Sequence, residues 1–183
     1  MTIFQRARVI ALLLALLGGG CGHDDNAATS AAGTIAHPKI SADGYRDLDW
    51  LEMLPKAEIE ILKHPPPVDH TGTMRAQQTG TYNAIPALDG LKVRIPGYIV
   101  PLEADDKGNL TEFFLVPYFG ACIHVPPPPP NQIIYVKLDK PVEAPEIMDP
   151  YGVKGVLRVR KTANDVAGSA YTMEQASIAP WEG

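Results

Sequence analysis

The sequence predicts a mostly β chain: a small five-stranded barrel of the OB type, preceded by a short N-terminal helix and a disordered tether. Three observations carry that prediction. Five segments of apolar alternation follow one another between Leu91 and Ile178. Turn-forming residues separate them at the short spacing of small barrels and sandwiches. The one stretch with helical spacing lies ahead of all five.

The chain opens with Arg6 and Arg8, then an unbroken apolar run from Val9 to Leu17. Such a run is too short to cross a bilayer and suits a signal-peptide core. Gly18, Gly19 and Gly20 lead to Cys21. This arrangement resembles a bacterial lipoprotein signal, with residues 1–20 removed and lipid carried on Cys21. Gly18 stands where such signals usually have leucine. Gly22 follows the cysteine in place of Asp, which in lipoproteins implies sorting to the outer membrane. Residues 21–46, rich in Ala, Thr, Ser, Gly and Asp without periodicity, read as the tether. Residues 47–183 are the expected folded domain.

Within that domain, Pro55 opens a helix to Lys63: Ala57/Ile61 and Ile59/Leu62 share a face, and Pro65-Pro66-Pro67 ends it. Residues 64–90 are polar and turn-rich, a long connection for a compact domain. The strands follow. Leu91–Leu102 alternates, with a bend or bulge at Pro96-Gly97. Glu103–Asn109 is a hairpin turn and Leu110–Val116 the return strand. Ile133–Leu138, Gly152–Lys161 and Ser169–Ile178 complete the set. Val153, Val156, Leu157 and Val159 are expected to face inward, with Arg158 and Arg160 on a solvated face. Trp50 and Trp181 read as core or cover residues.

Charged residues make up 20% and hydrophobic ones 45% of 183, a globular balance. The net charge is −5, and residues 1–20 contribute only the two arginines to it. An acidic chain without a basic patch is a poor match to nucleic acid.

Between the second and third strands runs EFFLVPYFGACIHVPPPPPNQ, Glu112 to Gln132. With DGLKVRIPGYIVPLE before it and YGVKGVLRV and AYTMEQASI after it, this pattern resembles DUF3299, a family of uncharacterised bacterial envelope proteins, many of them lipoproteins. The resemblance covers roughly Asp47 to Trp181. It implies an accessory role in the envelope, near an ABC-type export permease and in a setting of metal supply. It implies no activity and assigns no site.

Cys122 and His124 sit two apart, which on an extended strand puts both side chains on one side. Thiolate and imidazole suit Zn²⁺ or Cu⁺. Two ligands are too few for tight zinc, so a third is expected from His70, with His64 or Glu112 as other sources. The competing reading makes Cys122 a small buried hydrophobe and His124 a strand-end hydrogen-bonding group. A lone thiol lowered by His124 is the redox or hydrolytic alternative. No second redox cysteine accompanies it if Cys21 is lipidated, and a non-enzymatic binding protein is the expected class. A scaffold that holds no ligand is the third reading. The proline run favours polyproline II. Either it is a rim for partner contact, through Pro127, Pro128, Pro129 and Asn131, or a spacer between strands.

Overall fold

A computed structural model describes residues 40–63, 77–121 and 127–182. Residues 1–39, which carry the expected signal peptide, Cys21 and most of the expected tether, lie outside the described residues, as do His64, His70, Cys122 and His124.

Six strands are present: β1 Arg46–Asp47, β2 Lys92–Ala104, β3 Leu110–Val116, β4 Ile134–Val142, β5 Tyr151–Ala163 and β6 Gly168–Pro180. The sheet runs β1-β2-β3-β4-β6-β5, and β5 pairs back onto β2. Strands β2 to β6 therefore close a five-stranded mixed barrel, with β1 outside it. The connectivity is that of an OB barrel. The β4–β6 pair is parallel, from Ile134↔Tyr171 to Val136↔Met173, and the other barrel pairs are antiparallel.

The five predicted strands match β2 to β6 closely. Pro96-Gly97 marks a handover of partners in place of a bulge. Residues up to Gly97 pair with β5, and from Tyr98 onward with β3. A Cβ at Gly97 would lie 2.7 Å from the Val116 carbonyl oxygen, so only glycine permits this approach. The register shifts of β2 fall later, around Pro101–Ala104. Val159 and Val156 are corrections: Val159 is exposed although it keeps the parity of Leu157 and pairs with Tyr171, and Val156 pairs with Lys92 on the other side of β5 from Leu157. Arg158 and Arg160 face outward as expected, and both pair with Glu174.

Two apolar clusters hold the barrel. Its interior holds Val93, Ile95, Ile99, Phe113, Leu115 and Leu157 among others, with Tyr171 fully buried among them. Tyr171 Oη donates to the Met53 carbonyl at 2.8 Å and accepts from the Ile85 amide at 2.7 Å. One core phenol thus pins two segments that precede the barrel. The second cluster, Val100, Phe114, Val116, Ala121, Ile133 and Ala167, lies on the opposite, outer face of β2, β3 and β4. Strand β3 is consequently buried on both sides, which explains its continuous apolar run Phe113–Val116.

Ahead of the barrel, residues 40–46, expected as tether, form a turn that leads into β1. The Ser41 amide donates to the Tyr45 carbonyl at 2.8 Å, and Gly44 supplies a positive φ. A 3₁₀ turn, Trp50–Met53, is closed by a capping box between Asp49 and Glu52. Helix α1, Lys56–Lys63, follows Pro55 where the spacing placed it. The Trp50 indole donates to the Pro96 carbonyl at 2.7 Å.

Candidate functional site

After β3 the chain passes exposed Tyr118 and Phe119, the latter edge-on to Tyr98 at 6.0 Å. It turns at Gly120, whose φ is +79°. Ala121 then packs into the outer apolar cluster. Residues 122–126, with Cys122 and His124, lie outside the described residues. The chain is described again from Pro127 and enters a 3₁₀ turn at Pro130–Gln132. The anchors on either side of the Cys-x-His segment are thus buried parts of the domain.

The proline arm is not a free rim. Pro127, Pro128 and Asn131 are buried, and only Pro129 keeps partial exposure. The physical reason is polar. Polyproline II leaves its carbonyls without internal partners, and buried carbonyls need donors. Gln78 supplies one: its Nε2 donates to the Pro128 carbonyl and to the Gly168 carbonyl, both at 2.9 Å. Its Oε1 accepts from the Gly168 amide at 2.8 Å, so a single carboxamide ties the arm to β6. Gly80 lies against Pro129 so closely that a Cβ there would sit 2.6 Å from the proline Cβ.

The arm ends in a carboxylate clamp. Asn131 Nδ2 donates to Glu58 Oε2 at 2.7 Å and to the Asn83 carbonyl at 3.0 Å. Glu58 also accepts from Thr81 Oγ1 at 2.9 Å and from Asn83 Nδ2 at 2.7 Å. Burial raises the Glu58 carboxyl, and hydrogen bonds from Asn83, Asn131 and Thr81 outweigh it, leaving the group below the usual carboxylate range. Gln132 Nε2 donates to the Trp50 carbonyl at 2.8 Å. Asn131 is fully buried, and its Oδ1 has no hydrogen-bond donor among the described residues. The amide cannot be flipped to cure this, because its nitrogen faces two acceptors.

Glu112, weighed as a metal ligand, is already engaged. It accepts from Tyr135 Oη at 2.5 Å and from Lys137 Nζ at 2.7 Å. Among the described residues no three His, Cys, Asp or Glu side chains gather as a metal cluster. Glu58, Gln78, Thr81 and Asn83 were missed by sequence reading. The available signal was Asn131-Gln132: two carboxamides directly after five prolines are out of place unless something receives them.

The family model for a protein of unknown function, DUF3299, matches residues 50–180. The chain belongs to the DUF3299 family. A crystal structure of a DUF3299 family protein from Pseudomonas aeruginosa shares 38% sequence identity with it, at a TM-score of 0.62. That likeness covers 76% of this chain and 97% of the other. No functionally curated protein matches the chain. The DUF3299 match begins at Trp50, whose indole reaches the Pro96 carbonyl, and ends at Pro180, the last residue of β6. The family unit therefore includes the 3₁₀ turn, α1 and the proline arm together with the barrel.

Proposed function

We propose that this DUF3299 protein is a non-enzymatic accessory protein of the bacterial envelope. It is lipid-anchored through Cys21, faces the periplasm at the outer membrane, and works beside an ABC-type export system. Its ligand is a soft metal ion, zinc or copper(I), held by Cys122 and His124 with His70 as third ligand.

The observation that supports this reading is the buried, donor-less Oδ1 of Asn131 at the end of a rigid arm. A metal-ligating imidazole commonly donates its other ring N–H to a fixed oxygen of this kind, which sets the tautomer and the ring orientation. Asn131 is seven positions from His124 in sequence, and its nitrogen end is clamped on Glu58. Thiolate and imidazole are also the donor types that select these ions.

The test is competition titration of reduced protein spanning residues 22–183 with Zn²⁺ and Cu⁺, alongside Cys122→Ser, His124→Ala and His70→Ala. Stoichiometric uptake that each substitution weakens is expected. Absence of uptake by the parent protein overturns the metal reading.

A further inference from the structure

Besides the clamp, two neighbouring clefts lie on the outer wall of the barrel. Each has a volume of about 270 Å³. One is bounded by Leu102, Glu103, Glu112 and Asn164, the other by Lys137, Arg160, Thr172 and Glu174. Tyr135 and Thr162 line both, so the two form one continuous groove. It runs over β3, β4, β6 and β5, from the β5–β6 turn toward the bulge of β6.

The position is informative. OB barrels take extended ligands on the face of their second and third strands, between the first hairpin loop and the loop joining the last two strands. Here those elements are β3 and β4, the hairpin at 105–109 and the turn at 164–167. The β6 bulge adds a second mark: Gln175, with φ +52°, lines the groove and departs from the ladder between Glu174 and Ser177. Bulges of this kind often sit beside functional sites.

The lining selects the ligand class. Carboxylates, two carboxamides, a guanidinium, an ammonium and hydroxyls line the groove around one tyrosine ring. That ring is braced by Phe114 edge-on at 6.1 Å and by the Oη bond to Glu112. Glu112 and Glu174 are each held by cations or hydroxyls, so their remaining lone pairs are directed and ready to accept. Thr172 Oγ1 is recessed in the wall, with no hydrogen-bond partner among the described residues. Side-chain carbon makes up most of the exposed lining between these polar groups. A nucleic acid would meet more carboxylates than cations on an acidic chain. A neutral polyol, dense in hydroxyl donors and acceptors and carrying an apolar ring face, satisfies all of these groups.

We propose that this groove binds an extended neutral glycan strand, with Tyr135 as its platform and Lys137, Arg160 and Glu174 as hydrogen-bonding walls. The inference is independent of the metal reading, because it uses none of the residues assigned there.

The experiment titrates the full chain with chitotetraose, followed by amide chemical shifts or calorimetry, with EDTA present throughout. Saturable binding is expected. The Lys137→Ala/Arg160→Ala double variant is expected to bind roughly tenfold more weakly at an unchanged melting temperature. Tyr135→Phe keeps the ring and removes the hydroxyl, and is expected to weaken binding by a smaller factor. Cys122→Ser is expected to bind like the parent, which separates this site from the metal reading. No saturation at millimolar glycan, equal binding by parent and double variant, or preference for an oligothymidine would each overturn the proposal.

Discussion

Asn131 and Glu58 stand 73 positions apart in sequence, yet the carboxamide nitrogen of one donates to the carboxylate of the other at 2.7 Å. This bond couples helix α1 to the end of the proline arm. Glu58→Gln would set an amide nitrogen against donors that now find only acceptors. Its expected cost is about 1–3 kcal/mol, read as a lower urea midpoint with an unchanged slope.

The same carboxyl gives an acid dependence. Its folded value lies below the ordinary 4.5, so its contribution is complete above the unfolded value and is lost as pH falls through the folded one. Stability measured from pH 6 downward is expected to fall off below about pH 4.5. Glu58→Gln is expected to flatten that part of the profile, since the titrating group is gone. An unchanged acid limb in the variant would assign the dependence to other carboxylates.

Gly80→Ala tests the seat of the arm. Gly80 has φ +99°, and an added Cβ would overlap Pro129. Both terms act in one direction, and a loss of about 1–3 kcal/mol is expected. Hydrogen exchange is expected to speed up at the Asn131 and Gln132 amides before it does in β2 or β3.

Tyr171→Phe removes a hydroxyl that serves two backbone groups at once. The Ile85 amide and the Met53 carbonyl would each lose a partner inside the domain. About 1–3 kcal/mol is expected from calorimetric unfolding, although no carbon atom has been removed.

Tyr135 is expected to titrate late. Burial first, then its bond to Glu112, pushes the phenol up to about 12 from 10. Because the folded value is the higher one, the contribution is whole below pH 10 and fades as pH climbs toward 12. Ultraviolet titration of the parent against Tyr135→Phe is expected to show one phenolate fewer in the late-ionising group.

The strands were legible because each carries its period in its own residues: Val93, Ile95 and Ile99 point inward whatever they pair with. Helix α1 was legible for the same reason. The handover at Gly97 was not, since the residue signals only that something comes close, and Val116 is 19 positions away in sequence. The clamp was hidden more deeply. Glu58 reads as an exposed helix carboxylate, and Gln78, Thr81 and Asn83 read as loop polarity. Their partners are fixed by topology, which no local pattern encodes. Val159 failed by a different route: it keeps the parity of Leu157 yet is exposed, and alternation gives the side a residue faces without the depth at which it is buried.

Strand β6 pairs with β5 along most of its length and with β4 at its start. Until residues 168–180 are in place, β4 and β5 have no bridge between them and the cylinder stays an unrolled ribbon. Folding order is thereby set by connectivity: a polypeptide stopped short of β6 keeps its interior open to water.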